Sequence, residues 1–232
     1  MPRLSVMPAL AFAVSAALVV AATLSAVDRG PVAAPAARAP APVSAAASES
    51  IVLAGGSFWG VQAVFQHLKG VESAVAGYAG GVTPHPTYEA VSGGRTDYAE
   101  AVEVTFDPRR IGLGDVLRVY FSAAHDPTEV DAQGPDEGRQ YRSEIFAANP
   151  AQAKFARAYI AEIGAAKTFR QPVATKVATG ARFYPAESYH QDYAARHPAE
   201  PYVAFNDAPK VATLKRLFPR LYRETPTRVA AR

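Results

Sequence analysis

The 232-residue chain contains no cysteine. That absence excludes a structural disulfide, a thiolate nucleophile and a thiolate metal site together. Histidine is sparse: His67, His85, His125, His190 and His197 are the five, and none forms the His-x-x-x-His pair that presents two imidazoles on one helical face. Basic runs are also missing. The formal net charge is +3, but no run of Lys or Arg stands out, and Arg109-Arg110 reads as part of a turn. Nothing in that pattern supplies a phosphate-binding stripe, so nucleic acid is not expected as a partner. No internal repeat is present.

The first 49 residues are built differently from the rest. Arg3 supplies a positive start, Met7 to Val27 is almost uncharged, and Leu24-Ser25-Ala26 offers small residues for a signal peptidase. The apolar run, roughly 20 residues, is also long enough to remain as a membrane anchor. Residues 1–27 are therefore expected to be a signal peptide or an anchor. On either reading the body of the protein lies outside the cytoplasm, in the periplasm or held at the inner membrane. Residues 28–49 are Ala- and Pro-rich and read as a spacer outside the fold.

From Ser50 onward the pattern becomes dense. Ile51-Val52-Leu53-Ala54 suits a buried strand, and Gly55-Gly56 a tight turn after it. Val61, Val64, Phe65 and Leu68 recur at helical spacing until Gly70. Val71 to Tyr78 is strand-like, and an irregular loop follows around Pro84 and Pro86. In Glu100 to Phe106 strict alternation puts Val102, Val104 and Phe106 on one buried face, and Glu100 shares it. A second helix carries Leu117, Tyr120, Phe121 and Ala124, and Tyr141 to Phe146 reads as a fourth strand. Asn149-Pro150 opens a third helix bearing Ala156, Tyr159, Ile160 and Ile163. Residues 173–187 add an edge strand and a loop, and a helix is expected from about Lys210 to Arg223. The order strand, helix, strand, strand, helix, strand predicts one α+β domain over residues 50–223. Its core is a two-layer ferredoxin-like βαββαβ arrangement with C-terminal extensions, and residues 224–232 form a tail.

Several short words in this chain occur together in a familiar order. They are Gly55-Gly56-Ser57-Phe58-Trp59-Gly60, Gly77-Tyr78-Ala79-Gly80-Gly81, Pro86-Thr87-Tyr88-Glu89-Ala90-Val91 and Tyr98-Ala99-Glu100. His125-Asp126-Pro127-Thr128, Gln133-Gly134-Pro135-Asp136, Gln140-Tyr141-Arg142-Ser143, Phe183-Tyr184-Pro185-Ala186-Glu187 and Tyr189-His190-Gln191 complete the set. Over roughly residues 50–205 the chain resembles the type A peptide methionine sulfoxide reductases. The resemblance implies that Phe58 and Trp59 wall an apolar pocket for the substrate methyl group. It places Tyr88, Glu100 and Tyr141 around the sulfoxide oxygen, with Asp136 holding the polar side. The substrates it implies are oxidised methionine in peptides or proteins and free methionine S-sulfoxide. It implies no bound cofactor, an external thiol or thioredoxin-type reductant, and a monomer.

The chemistry asks for such residues independently. A sulfoxide is a poor electrophile until its oxygen is protonated, so a site for it needs an acid. A carboxyl on an apolar strand face has its charged form disfavoured, which suits Glu100 to that task. Ordinary structural roles are available to the same residues. Ser57 could simply cap a helix, Phe58-Trp59 could be core, and Tyr88 and Tyr141 could be half-buried strand aromatics. His125 and His190 are read as structural.

The departure from the resembled pattern lies at Ser57, where the family carries cysteine. A serine hydroxyl ionises far less readily than a thiol, and oxygen has no sulfenic-acid state to hold an oxidising equivalent. Tyr98 also stands where the family usually has histidine. Two expectations follow: a reductase by family whose reductase step is impaired here, or a non-catalytic module that binds methionine sulfoxide. A serine hydrolase is disfavoured, because the nucleophile elbow needs glycine two residues after the serine and Trp59 occupies that position.

Overall fold

The computed structural model describes residues 32–42 and 46–229. Strand β1 (Glu49–Ala54) runs into helix α1 (Phe58–Gln66) and then strand β2 (Val71–Ala79). The loop beyond β2 carries a short helix, α2 (Tyr88–Ser92), capped by the Thr87 hydroxyl, where the sequence suggested only irregular chain. Strand β3 (Ala99–Phe106) leads to helix α3 (Leu113–Val119), which widens into a π turn over Tyr120–Ala124. A two-residue hairpin follows, β4 (Ala132–Gln133) with β5 (Asp136–Glu137), then strand β6 (Glu144–Ala147). Helix α4 (Pro150–Ala165) starts as its sequence implies: the Asn149 side chain accepts the Gln152 N–H at 2.9 Å, and Pro150 opens the first turn. Strands β7 (Lys176–Thr179) and β8 (Phe183–Pro185), helix α5 (Tyr193–Arg196), a π turn (Val203–Asp207) and helix α6 (Ala208–Leu217) complete the order.

The main sheet has the order β7-β6-β1-β3-β2-β8. Its central four strands, β6-β1-β3-β2, are antiparallel neighbours, which is the ferredoxin-like arrangement the element order predicted. The alternation in β3 sets its orientation as expected. Glu100, Val102, Val104 and Phe106 are all buried, in the layer where Ile51, Leu53, Val64, Phe65, Leu117 and Tyr159 form the large core. The opposite face carries a thinner cluster of Ala54, Ala79, Ala99, Ala101 and Phe146. The domain is α+β.

Four boundaries differ from the sequence reading, each for a physical reason. Tyr141 is not in the fourth strand. Gly138 at φ +125° turns the chain, residues Arg139–Tyr141 form a 3-10 turn, and the Tyr141 carbonyl accepts the Gly56 N–H at 3.1 Å instead of joining a ladder. The single edge strand expected in 173–187 is two strands on opposite edges, β7 parallel to β6 and β8 antiparallel to β2. The last helix stops at Leu217, because Pro219 disfavours helical backbone at Phe218 before it.

The fourth difference concerns the spacer. Residues 32–42 pack as a strap across α3 and α4, with Ala34 fully buried. Its backbone is satisfied by side chains: Ala34 N–H donates to Ser122 Oγ (2.9 Å), Arg118 Nε to the Ala34 carbonyl (2.8 Å), and Tyr159 OH to the Pro35 carbonyl (2.6 Å). Alanine is small enough to let the chain approach that closely. The described part of the C-terminal tail is pinned as well, through Thr227 N–H to the Gln66 carbonyl and Val229 N–H to Asp192. The expected signal or anchor segment lies outside the described residues.

Candidate active site

The site is built where β1 turns into α1. Gly56 takes φ +89° there, and a Cβ at that position would lie 2.5 Å from Gln133 Cγ, so the turn requires glycine. Ser57 follows at the N-cap position, with 7% of its surface exposed, but its hydroxyl makes no capping bond. The simple capping role is therefore not what this serine performs. Nearby, the Tyr202 hydroxyl donates to Asp136 Oδ2.

The first free N–H of α1 is capped by a distant acid. Glu100 Oε2 accepts the Phe58 N–H at 3.0 Å from across the sheet. Glu100 is 2% exposed, and burial pushes its carboxyl up to about 8. The Phe58 N–H opposes that push, while the negative charges of Asp136 and Asp207 add to it. At neutral pH the carboxyl is mostly protonated, so Glu100 can give a proton to a bound oxygen.

Phenols stand around the acid. Tyr88 opens α2 and stacks on Phe58 with ring centres 6.4 Å apart. Tyr141 ends the 3-10 turn. Burial and then the Glu100 carboxyl raise both phenols above their ordinary range, so both keep their protons and can donate. Tyr88 is held from behind by Glu187, which accepts the Tyr88 N–H (3.0 Å) and the Tyr78 hydroxyl (2.7 Å).

The apolar wall is aromatic. Phe58 is 1% exposed, while Trp59 is half-buried and stacks on Tyr193 at 3.8 Å, with Tyr202 edge-on at 5.8 Å. Trp59 Nε1 donates to His190 Nδ1 at 3.2 Å, and His190 also packs on Tyr88 at 4.2 Å. Burial depresses the His190 imidazole, which keeps it neutral and able to accept the indole N–H. His125 lies beneath the β1–α1 turn, bonded to the Tyr120 carbonyl (3.1 Å) and to Ser143 Oγ (2.7 Å). Burial lowers its imidazole to about 4, as a structural histidine requires.

All seven residues marked in the sequence therefore converge. Ser57, Phe58 and Trp59 come from the start of α1, Glu100 from β3, Tyr88 from α2, Asp136 from β5 and Tyr141 from the 3-10 turn. Tyr98 turns away: its hydroxyl donates to the Thr83 carbonyl at 2.6 Å. Sequence reasoning did not assign Tyr193, Tyr202, Glu187 or Asp207. Glu187 sat inside a quoted word, but Tyr202 and Asp207 carry no local signal.

A buried protonated carboxyl flanked by neutral phenols, opposite an aromatic wall, defines a site that activates a polar oxygen on a small apolar group. Comparison with known proteins assigns the class. The sequence profile of the peptide methionine sulfoxide reductases matches residues 49–220. A peptide methionine sulfoxide reductase MsrA 2 of Mesorhizobium japonicum is 53% identical over 186 residues, 80% of this chain and 95% of the relative. An MsrA of Thermus thermophilus is 49% identical over 175 residues, covering 75% and 98%. Among solved structures, methionine sulfoxide reductase A of Corynebacterium diphtheriae superposes with a TM-score of 0.58 at 34% identity, covering 74% and 87%. Reduced Mxr1 of Saccharomyces cerevisiae gives 0.60 at 33%, covering 68% and 91%. The chain belongs to the peptide methionine sulfoxide reductase family, oxidoreductases that act on methionine sulfoxide.

Proposed function

We propose that this chain recognises methionine S-sulfoxide in exported polypeptides through the family pocket, as a monomer, and that Ser57 withholds the redox half of the reaction. The observation that carries the reading is Glu100: a fully buried acid, protonated at neutral pH, fixed on the first N–H of α1 between two phenols. In that position Glu100 would donate to the sulfoxide oxygen, with Tyr88 and Tyr141 sharing the developing charge. Phe58 and Trp59 would take the methyl group.

Reduction needs more than binding. In the resembled mechanism a thiolate attacks sulfur, methionine departs, and the oxygen stays on cysteine as a sulfenic acid for an external thiol or a thioredoxin-type protein to remove. Ser57 cannot store that oxidising equivalent. The non-catalytic binding role, the alternative reading of the sequence, is thus the one these features favour for the chain as it stands.

Trp59 is the only tryptophan and lines the pocket, so its fluorescence reports occupancy. An N-acetylated methionine S-sulfoxide amide is expected to change the emission saturably, and the R epimer to bind at least several-fold more weakly. Equal responses to the two epimers, or none, would contradict the reading.

A further inference from the structure

Among the described residues, five large apolar side chains stand exposed: Val32, Val82, Val130, Tyr189 and Phe205. Two of these are aromatic, and both belong to segments that wall the site. Phe205 is 80% exposed and Tyr189 56%. The chain around Phe205 leaves its ring open: Ala204, Ala208 and Pro209 are themselves exposed, and Asn206 is folded back onto the Tyr202 carbonyl at 3.1 Å. An aromatic ring held in water gains nothing from the fold, so two of them beside one pocket call for a partner.

Both rings are tied to the pocket by contacts. Phe205 lies in the π turn between two residues that touch α1. Tyr202, three positions earlier, stands edge-on to Trp59 at 5.8 Å and donates to Asp136 Oδ2. Asp207, two positions later, fills the space that a Cβ on Gly60 would need. Tyr189 packs on His190 with ring centres 4.3 Å apart, and His190 in turn packs on Tyr88 at 4.2 Å and accepts the Trp59 indole N–H. The two exposed rings therefore form part of the rim, beside the wall made by Trp59 and Tyr88. A methionine side chain entering the pocket leaves its own backbone at that rim. An extended chain advances about 3.3 Å per residue, so the one or two residues on either side of the sulfoxide must lie over it.

We propose that Phe205 and Tyr189 form a rim subsite for the apolar side chains that flank methionine sulfoxide in an extended, unfolded polypeptide. Methionine is among the residues most often buried, so its surroundings in a folded protein are apolar, and they reach solvent together with it when that protein unfolds. An exposed ring removes its area from water only against an apolar partner, and it imposes no hydrogen-bond register on that partner. The subsite thus selects a class of segment, not one sequence. The inference rests on the reading of the pocket as a methionine sulfoxide site and names the polypeptides that site serves.

The test is calorimetric titration of the full chain with the N-acetylated methionine S-sulfoxide amide and with two peptides. Each peptide ends in lysine for solubility and carries a central methionine S-sulfoxide, with two valines on either side in one and two serines in the other. Wild type is expected to bind the valine peptide about five- to tenfold more tightly than the serine peptide, because apolar flanks bury area on the rim. Phe205→Ser is expected to cut that ratio roughly threefold or more and to make the heat-capacity change of the valine peptide less negative. Phe205→Leu, which keeps an apolar side chain, is expected to retain most of the ratio. The amide has no flanking side chains and reads the pocket alone, so Phe205→Ser should bind it as wild type does. Equal affinity of wild type for the two peptides overturns the proposal, as does a ratio that survives Phe205→Ser. Equal weakening of all three ligands by Phe205→Ser overturns it too, since the residue would then act on the fold. Failure of the amide to bind, with the peptide ratio intact and sensitive to Phe205, counts against the pocket reading alone.

Discussion

Replacing Glu100 by Gln should stabilise the protein in mild alkali and leave its stability in acid almost unchanged. The carboxyl has an ordinary value of 4.5 and is held near 8 in the fold. Below 4.5 both folded and unfolded chains carry the proton, and nothing is lost. As pH rises, the unfolded chain releases its proton while the folded chain retains it. Folding stability therefore declines until about pH 8, above which the buried charge acts in full. Each pH unit corresponds to about 1.36 kcal/mol, so the interval amounts to about 5 kcal/mol at most. Local relaxation reduces this to about 2–3 kcal/mol. Gln has the same shape, and its carbonyl can still accept the Phe58 N–H. For a domain of this size the gain corresponds to a rise in Tm of about 4–10 °C at pH 9. Thermal melts by circular dichroism between pH 4.5 and 9 measure it. A Tm difference that is the same at both ends would show that Glu100 titrates as an ordinary carboxyl, and the argument for an acid at this position would fail.

His125→Gln should flatten the opposite limb. The imidazole is held near 4, so as pH falls from 6.5 through 4 the unfolded chain protonates first and wild-type stability declines. The variant should lose that dependence, and at pH 7 should be weaker by about 1–3 kcal/mol because the buried imidazole bonds to Ser143 Oγ and the Tyr120 carbonyl are disturbed, read by urea unfolding. Starting the chain at residue 46 instead of residue 32 should lower Tm by several degrees, because the strap's buried Ala34 and its bonds to Ser122, Arg118 and Tyr159 are lost. Equal Tm values for the two lengths would mean that the strap contributes nothing to the fold.

How much of this was legible in the sequence varied with the kind of signal. Period-two alternation in Glu100–Phe106 is a local consequence of the pleat, so the strand, its buried face and the acid on that face could all be read directly. The Asn149-Pro150 helix start is equally local. The Tyr141 segment has strand-like residues, yet it is shaped by Gly138 and by a bond to Gly56 more than eighty positions earlier. The Ala-rich strap has no amphipathic pattern, since alanine marks neither face. Its burial is decided by Ser122, Arg118 and Tyr159, which no local reading connects to it. At the site, the words around Ser57, Tyr88, Glu100, Asp136 and Tyr141 identified residues that do converge. Tyr202 and Asp207 escaped, because an aromatic and an acid near a C-terminal helix look like ordinary surface until the fold lays them against α1.

The central claim is that the pocket is complete and that one atom at position 57 decides whether it performs redox chemistry. A single-turnover assay tests it: wild type and Ser57→Cys are each incubated with methionine S-sulfoxide without reductant, and methionine is quantified by chromatography. A thiol at the N-terminus of α1 should ionise more readily than free cysteine, at about 8.5, because the helix end favours negative charge. With Glu100 supplying the proton to oxygen, sulfur transfers that oxygen to the thiolate, one methionine leaves, and a sulfenic acid remains. Ser57→Cys is expected to give close to one methionine per protein, and wild type none above the protein-free control. Sustained methionine formation by wild type in the presence of added thiol, or a folded Ser57→Cys protein that forms none, would contradict it.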